Sequence, residues 1–290
     1  MSAKIGLLTC ESLPELCDDE SPFVEALAKY GYRTYPMIWS DDQWQECDYL
    51  VFRNTWDYIH RYTEFTDFLN RLQTSRTTVF NDLDLVRSNI NKTYLLNLQD
   101  QAFPVVPTKL LRSDELEGYF LPSDTNFHWE NYVLKPSVSA DSHCTFRGSL
   151  DLVLKQACSI QLERGSQWLL QPFLPSIVEE GEISLMYFDG QRSHSVLKKV
   201  KAGDFRVQDT YGGTAELIEA DPKIWKTGDQ ILQSLPSTPL YARVDLINFR
   251  GKPHLLELEL IEPSLFFKKA SGSASRFAGA IHRRIQSGKT

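Results

Sequence analysis

Apolar and polar residues in the N-terminal third of the chain follow a pattern that predicts short strands separated by helices. Strand periodicity occupies residues 4–9, 33–39, 48–52 and 77–80, and helical spacing of apolar residues occupies 21–30 and 63–72. Ser21-Pro22 is typical of a helix start and Gly31 of a helix end. This alternation predicts an open, mostly parallel sheet whose ligands bind beyond the carboxyl ends of its strands.

The pattern changes after this first part of the chain. One helix is predicted over 84–99, and the proline-containing stretch 103–107 interrupts the periodicity, which marks a lobe boundary. Further strands are predicted at 108–111, 131–135, 167–173, 182–188 and 192–199, and further helices at 149–164 and 273–285. Asp189-Gly190, between two of these strands, predicts a hairpin with a tight turn.

A second predicted hairpin, near the C-terminus, carries the clearest chemical signal. Glu257 and Glu259 share one face of its second strand, and Asp245 on its first strand can reach the same face. The intervening leucines are predicted on the opposite face: Leu256, Leu258 and Leu260. Clustered carboxylates suit a hard cation such as Mg²⁺, whereas the alternative is an amphipathic strand with a hydrated acidic face.

Composition and charge narrow the class of protein. The chain has 290 residues, 42% of them hydrophobic and 24% charged, which is enough for a large core in a soluble protein of several lobes. A net charge of -7 argues against non-specific nucleic-acid binding and against an anionic membrane surface. No apolar run is long enough to span a bilayer, and residues 1–10 do not form a signal peptide.

The cysteines and histidines indicate a reducing compartment and argue against zinc. The five cysteines are widely spaced, odd in number and never arranged as CxxC, so free thiols are expected. The six histidines are scattered, and no HExxH sequence occurs. A cytoplasmic location is therefore expected.

Two lysines are candidates for binding phosphate. Lys135 ends a predicted strand, and the loop after it is rich in hydroxyl residues whose backbone N–H groups can surround an anion. The serines of this loop are Ser137, Ser139 and Ser142. Lys92, in a predicted helix, is the second candidate. The alternatives are a surface charge for Lys135 and a solvated helix face for Lys92.

The end of the strand at 167–173 is a candidate site for an adenine ring. It is formed by Gln171, Pro172, Phe173 and Leu174, and prolines leave backbone groups there unpaired. Of the acids that follow, Glu179 or Glu182 can reach ribose hydroxyls. The alternatives are a connecting loop and a surface run of acids.

One dense basic patch follows, and it contains Lys198, Lys199, Lys201 and Arg206. Gly212 and Gly213 come shortly after it and permit close approach of the backbone to a ligand. Cations close to predicted metal-binding acids suggest a cleft that handles phosphate. A solvated hairpin edge, protected by its lysines, is the competing interpretation.

In this order of motifs the chain resembles the ATP-grasp superfamily of carboxylate–amine ligases. The resemblance covers roughly residues 92–264 by motif and the N-terminal part by strand–helix order. Its most specific part is Tyr241-Ala-Arg-Val-Asp245 with the Glu257-Leu-Glu259 that follows, which resembles the magnesium-binding segment of D-alanine–D-alanine ligases and bacterial glutathione synthetases. Those families often have Asn where this chain has Glu259. Their phosphate loop is usually rich in glycine, whereas residues 137–145 contain none.

The resemblance implies roles for these residues. Mg²⁺ would be held by Asp245, Glu257 and Glu259; the ATP phosphates by Lys92, Lys135 and Lys199 with Ser137, Ser139 and Ser142; and the nucleoside by Gln171 to Leu174 with Glu179 or Glu182. Arg243 resembles the arginine that stabilises the oxyanion, and Arg206 with Gly212 and Gly213 resembles a segment that contacts phosphate and substrate carboxylate.

The N-terminal lobe would then supply substrate contacts. The loop Arg53, Asn54, Thr55, Trp56, Asp57 and Tyr58 resembles one in a small ATP-grasp subgroup that includes the D-cycloserine-forming ligase. In this interpretation Arg53 holds a carboxylate while Trp56 and Tyr58 wall the pocket. The alternatives are a helix-capping salt bridge for Arg53 and core filling for the aromatic residues.

The resemblance also implies an architecture and a reaction. We expect an α/β fold with α+β lobes: an N-terminal substrate lobe (1–103), a central lid (104–175) and a C-terminal catalytic lobe (176–290). With ATP and Mg²⁺, a small carboxylate, such as that of an amino acid or peptide, becomes an acyl-phosphate and is joined to an amine. The expected partners are these small molecules, with a homodimer open and no nucleic acid or membrane. The rivals are a small-molecule kinase and a non-catalytic nucleotide-binding module.

Overall fold

Three β-sheets follow one another along the chain in the computed structural model, which describes residues 3–121, 127–162 and 166–288. The first sheet is parallel, as the strand–helix alternation predicts, and the two later sheets are antiparallel. The mixed α/β class expected from the sequence is therefore confirmed.

The parallel sheet has the strand order β2-β1-β3-β4. Its strands are β1 (Lys4–Thr9), β2 (Arg33–Ile38), β3 (Tyr49–Asn54) and β4 (Thr78–Phe80), and its helices are α1 (Ser21–Lys29) and α2 (Tyr62–Thr74). Proline in the first turn of α1 and Gly31 at φ +81° mark the two ends of that helix as predicted.

The single helix predicted over 84–99 is wrong, because the chain forms two helices. They are α3 (Leu83–Ile90) and α4 (Tyr94–Asp100). Asp82 caps α3 by accepting the Leu85 N–H at 2.9 Å, and Asn91 is extended where the helix ends. The N–H of Lys92 then donates to the carbonyl of Ser137 at 2.7 Å. A long-range bond thus replaces a helical one, and it puts Lys92 between the helices.

The second sheet has the order β5-β8-β6-β7. Its elements are β5 (Lys109–Leu111), β6 (Tyr132–Pro136), β7 (Phe146–Gly148), α5 (Leu150–Cys158) and β8 (Trp168–Pro172). The helix predicted over 149–164 is too long, and the end of that prediction lies outside the described residues. Strand β7 was not predicted, since three residues are too few to display an alternation.

The third sheet has the order β11-β10-β9-β12-β13. Its strands are β9 (Glu182–Phe188), β10 (Gln191–Lys199), β11 (Thr214–Ile218), β12 (Tyr241–Phe249) and β13 (Lys252–Glu259), and the helices of this region are α6 (Ser176–Glu179), α7 (Pro222–Gln233) and α8 (Ser273–Ser287). Both predicted hairpins are confirmed, and Asp189 and Gly190 have the positive φ values of a tight turn. Strand β11 and helix α7 were not predicted.

A bulge in the β12–β13 hairpin changes which residues face the cavity. Asp245 pairs with Glu257, but the register then shifts and Leu246 pairs with Leu255. Leu256 is therefore the extra residue on β13, and its side chain packs on the cavity side. The prediction that Leu256 shares the buried face of Leu258 is wrong for this reason.

Strand β13 lies at the edge of its sheet, and its free edge is covered by other parts of the chain. The Tyr94 hydroxyl donates to the carbonyl of Leu258 at 2.9 Å and accepts its N–H at 2.8 Å. The Asn89 amide donates to the same carbonyl and accepts the N–H of Leu260, both at 2.9 Å. The stretch 104–106 pairs with the middle of β13. These bonds fix the position and orientation of β13, the strand that carries Glu257 and Glu259.

The five cysteines are all free, as expected from the sequence. Within residues 3–121, 127–162 and 166–288, no helix combines the length and apolar character that crossing a bilayer requires.

Candidate active site

A cavity of about 450 Å³ lies between the three sheets. It is lined by residues from β6, β8, β9, β10, β12 and β13 and by the loop that follows β3. The predicted site residues that line it are Trp56, Tyr58, Lys92, Lys135, Ser139, Ser142, Gln171, Pro172, Phe173, Leu174, Glu182, Arg206, Arg243, Glu257 and Glu259. The predicted site residues that do not line it are Arg53, Asn54, Asp57, Ser137, Glu179, Lys199, Asp245, Gly212 and Gly213.

One end of the cavity is apolar. A cluster of side chains packs there beside the end of β8, and it consists of Val106, Leu174, Ile177, Val207, Ile247 and Leu256. Gln171 next to this cluster is buried, and its amide donates to the Thr108 hydroxyl at 2.8 Å. The residues predicted to bind adenine, Gln171 to Leu174, line the cavity at this apolar end, and a flat aromatic ring needs apolar contact on its faces.

The loop after β6 reaches the left-handed backbone region without glycine. Asp141, Ser142 and Cys144 have φ values of 50°, 54° and 51°. Asp141 also accepts hydrogen bonds from the Thr210 hydroxyl at 2.9 and 3.0 Å, which joins this loop to the loop after β10. The missing glycine noted in the sequence therefore does not prevent a tightly curved loop, although each such residue carries backbone strain.

The two candidate lysines sit in different electrostatic surroundings. The ammonium of Lys92 donates to the carbonyl and, at 3.2 Å, to the hydroxyl of Ser139, and it pairs with Glu257 at 3.3 Å. Lys135 is buried and forms no ion pair among the described residues. Burial lowers the pKa of Lys135, and the Lys92 charge lowers it further while Glu257 opposes both. Among the residues that the structure describes, Lys135 is thus a buried cation of the cavity with no carboxylate within ion-pair distance.

The inward-facing lysine of β10 is Lys198, not Lys199. Lys198 is buried and pairs with Glu182 and, at 3.3 Å, with Asp245. Lys199 is exposed on the opposite face of the strand, so the prediction that placed it at the nucleotide is corrected by one residue. Glu179 is likewise exposed, which leaves Glu182 as the acid of that region in the cavity.

Asp245 lies behind the cavity wall as the anchor of Arg243. Both of its oxygens accept from the Arg243 guanidinium at 2.9 to 3.1 Å, and the Ser184 hydroxyl donates to it at 2.6 Å. Burial alone would raise the pKa of Asp245, but the charges of Arg243 and Lys198 outweigh it and hold that pKa well below its usual range.

The two glutamates of β13 have partners of their own. Glu257 pairs with Lys92 at 3.3 Å, and Glu259 pairs with Arg243. Burial raises the pKa of Glu259 to about 7, partly offset by Arg243. For Glu257 the charges of Lys92 and Lys135 overcome the effect of burial and lower its pKa.

The predicted metal triad is not gathered around one point. Within the described residues, no three His, Cys, Asp or Glu side chains form a group that could hold a metal ion. The physical reason is that Asp245 and Glu259 both turn toward Arg243, while Glu257 turns toward Lys92. Glu257 and Glu259 still line the cavity from one strand.

Arg53, predicted to hold substrate, is buried in the core instead. Its guanidinium donates to both oxygens of Glu20, at 2.9 and 2.6 Å, at the start of α1. The alternative of a salt bridge at a helix end therefore describes Arg53 better. Asn54 accepts the Cys17 N–H at 3.0 Å, and Asp57 accepts from the Trp39 indole at 2.6 Å, so both are structural here.

The same loop positions Glu262, an acid to which the sequence pattern assigned no role. The Trp56 indole donates to the Glu262 carbonyl at 3.0 Å, and the nearby Tyr58 hydroxyl lowers the pKa of the Glu262 carboxyl. Arg53 donates to the next carbonyl, that of Pro263, at 3.0 Å. Burial raises the pKa of Glu262 to about 8, with Glu259 adding to the shift. The sequence signal that could have identified Glu262 is its position at the end of the acidic run 257–262.

The loop after β10 places Arg206 in the cavity and its glycines outside. Arg206 pairs with Asp204 at 2.8 Å and lies 3.5 Å from the centre of the Tyr211 ring. At Gly213 a Cβ would come within 2.1 Å of the Val207 carbonyl oxygen. This glycine is therefore needed for the loop to close on itself, and Gly212, at φ +79°, for its turn.

Known proteins resemble this chain in sequence and in fold. Residues 5–81 match the family model of the D-cycloserine synthetase DcsG N-terminal domain. The cycloserine biosynthesis protein DcsG of Streptomyces lavendulae is 29% identical over 92% of this chain and 94% of its own length. The crystal structure of D-cycloserine synthetase DcsG is similar with a TM-score of 0.85 and 27% identity, covering 97% of this chain and 99% of the other.

More distant structures share the fold. The D-alanine–D-alanine ligase of Bacillus anthracis matches with a TM-score of 0.65 and 14% identity over 99% of this chain and 97% of its own. The ATP-grasp ligase PsnB, in complex with a variant of its minimal precursor, Mg and ADP, matches with a TM-score of 0.63 and 12% identity over 96% of this chain and 98% of its own. At these identities the likeness concerns architecture.

Proposed function

We propose that this chain is an ATP-dependent ligase of the ATP-grasp superfamily, which activates the carboxylate of a small amino acid and joins it to nitrogen. The observation that carries the proposal is the content of one cavity. An apolar slot, buried lysines, and the acids of β13 beside Arg243 all line it. Neither a phosphate site nor a metal site alone would need all three.

The nucleotide would lie along the cavity from the apolar slot to the lysines. The base would occupy the slot beside Gln171 to Leu174, with Glu182 within reach of the ribose. The phosphates would meet Lys92 and Lys135, and the lack of an anion at Lys135 supports this placement. A buried cation without a partner is costly, so a bound phosphate would relieve it.

Magnesium would be held by the glutamates of β13. Glu257 and Glu259 fit, because they offer carboxylate oxygens to the cavity from one strand. Asp245 fits poorly in this arrangement, since its oxygens already accept from Arg243, Ser184 and Lys198. When bound, the ion would neutralise charge on the transferred phosphoryl group.

The reaction then follows from the order of groups in the cavity. An oxygen of the substrate carboxylate attacks the γ-phosphorus of ATP and releases ADP, giving an acyl-phosphate. A nitrogen nucleophile attacks the acyl carbon, and inorganic phosphate leaves. Arg243, held by both oxygens of Asp245, would stabilise the oxyanion that develops at that carbon.

A specific observation favours ring closure within one substrate molecule. Sequence identity to the D-cycloserine synthetase structure is 27%, whereas identity to the D-alanine–D-alanine ligase structure, which covers as much of the chain, is 14%. The cycloserine ring contains an acyl–nitrogen bond, which an acyl-phosphate would form by attack of a nitrogen on the same molecule. A kinase that stops after phosphoryl transfer is the rival.

The chain would be divided into three lobes. Residues 1–103 would form the substrate lobe, 104–175 the lid and 176–290 the catalytic lobe. The contact between Asp141 and Thr210 supports closure of the lid on the loop after β10. The free cysteines support a reducing compartment such as the cytoplasm.

The test is a screen of small amino acids, singly and in pairs, for ADP release with mass analysis of the products. We expect ADP to appear together with a product lighter by one water, from one amino acid or from two. ADP with a phosphorylated product would favour the kinase. ADP release by no compound, together with no nucleotide binding, would contradict the proposal.

A further inference from the structure

Two ionisable side chains in the cavity form no ion pair with any of the described residues. One is Lys135, which the phosphates would meet. The other is Glu262, whose carboxyl lines the cavity but forms no ion pair. The other acids of the third sheet in this region are paired: Glu182 with Lys198, Glu257 with Lys92, and Asp245 and Glu259 with Arg243.

The backbone at Glu262 is fixed by Arg53 on β3 and by Trp56 in the loop that follows. Trp56 and Arg53 donate to the carbonyls of residues 262 and 263, at 3.0 Å each, and the nearby Tyr58 hydroxyl lowers the pKa of the carboxyl. A side chain with this support needs no reorganisation to receive a ligand. The loop would therefore act on the substrate through Glu262. This role accounts for the resemblance noted at residues 53–58 better than a direct contact between Arg53 and the substrate does.

The electrostatic surroundings of Glu262 favour a cation. Burial raises the pKa of Glu262 to about 8, with Glu259 and Glu257 adding to the shift, while Lys92 and the Tyr58 hydroxyl oppose it. A positive group arriving beside this carboxyl would therefore stabilise its ionised form. Trp56 and Tyr58 line the same cavity, and aromatic rings can also receive an ammonium group on their faces.

We propose that Glu262 binds the ammonium group of an α-amino-acid substrate, with Tyr58 and Trp56 forming the walls of this ammonium site. The inference rests on the proposed function, because it names the substrate class of the same cavity. The amino group of the substrate would then lie at the loop after β13, on the side of the proposed N-terminal lobe. The carboxylate of the same molecule would then lie toward Arg243 and the phosphates.

The experiment measures binding by calorimetry to the full chain saturated with MgADP. The probes are D- and L-alanine, D- and L-serine and D-cycloserine, each compared with its counterpart lacking the amino group: propionate, 3-hydroxypropionate and isoxazolidin-3-one. At least one amino compound should bind, and its counterpart should bind about tenfold to a hundredfold more weakly, as expected for a lost hydrogen bond to a charged group.

Glu262→Gln should remove this discrimination while MgADP affinity and, at pH 5, the unfolding temperature stay close to wild type. Glu25→Gln, an exposed glutamate on α1, serves as the matched control and should keep the discrimination. Binding by no amino compound, equal binding of both members of each pair, or full discrimination in Glu262→Gln would each overturn the ammonium site. A loss of Mg²⁺ affinity in Glu262→Gln with discrimination intact would overturn it in favour of a metal role.

The proposed function fails differently. It fails when MgADP does not bind to the wild-type chain, whether or not any amino acid binds. Binding of MgADP with no preference for amino compounds would leave the ligase proposal standing and remove the ammonium site.

Discussion

At the residue scale, the cavity depends on which of two neighbouring side chains faces inward. Lys198 faces the acids while Lys199 faces solvent, and the bulge turns Leu256 into the apolar slot. Within the cavity, Lys135 and Glu262 stand out because neither forms an ion pair with any residue that the structure describes. Single substitutions at these positions should therefore affect binding more than folding.

Lys135→Met should weaken MgATP binding by about tenfold or more, because a charge-assisted contact with phosphate is lost. Its unfolding temperature should equal or exceed that of wild type, since a buried cation without an anion is removed. Calorimetry and thermal unfolding measure the two effects. Lys155→Met, exposed on α5, is the control and should change neither; unchanged affinity in Lys135→Met would place the phosphates elsewhere.

Arg243→Lys should reduce kcat by roughly 10²–10³ while leaving nucleotide affinity nearly unchanged. Lysine keeps the charge but cannot hold both oxygens of Asp245, so the cation loses its fixed position. Steady-state kinetics with the substrate found by the screen would measure this. An equal loss of nucleotide affinity would show that Arg243 acts on ATP binding instead.

At the element scale, β13 carries the acids and is held along its outer edge by side chains from α3 and α4. Tyr94 satisfies both backbone groups of Leu258, and Asn89 bridges Leu258 and Leu260. These contacts link the split between α3 and α4 to the site, because the same turn delivers Lys92 to the cavity.

Tyr94→Phe should destabilise the chain by about 1–3 kcal/mol, since it leaves the N–H and carbonyl of Leu258 without this partner. Chemical denaturation measures the change. Activity per folded molecule should fall as well, because Glu257 and Glu259 lose part of their support. Tyr30→Phe, in the exposed tyrosine that ends α1, is the matched control. A stability equal to wild type would mean that water replaces the hydroxyl at no cost.

Local pattern predicted much of the fold. Strand alternation and turn residues predicted β1, the parallel sheet and both hairpins, since each signal lies within a few neighbouring residues. The same reasoning missed the break at Lys92, the bulge at Leu256 and the burial of Arg53. Each of these depends on a partner far along the chain, such as Ser137 or Glu20, and no local pattern carries that information.

At the scale of the whole molecule, three sheets bring opposite charges into one buried cavity, so its stability depends on pH. Glu262 has a pKa raised from 4.5 to about 8. Between these values the folded chain binds more protons at this group than the unfolded chain does. Its contribution to stability is therefore full below pH 4.5 and is lost as the pH rises toward 8.

Glu262→Gln should flatten that dependence. In the absence of ligands, the fall in unfolding free energy between pH 5 and pH 8 should be smaller than in wild type, because the variant cannot titrate at this position. Denaturation at several pH values measures the slope, with Glu25→Gln expected to follow wild type. An unchanged slope would mean that the carboxyl of Glu262 ionises as an exposed glutamate does.

The central claim is that a carboxylate is activated by phosphorylation in this cavity before nitrogen attacks it. The most direct measurement uses a substrate whose carboxylate is labelled with ¹⁸O and follows the label into inorganic phosphate by mass spectrometry or ³¹P NMR. Activation as an acyl-phosphate predicts one ¹⁸O in each phosphate released with ADP. Unlabelled phosphate, or a phosphorylated substrate with no phosphate release, would contradict the account.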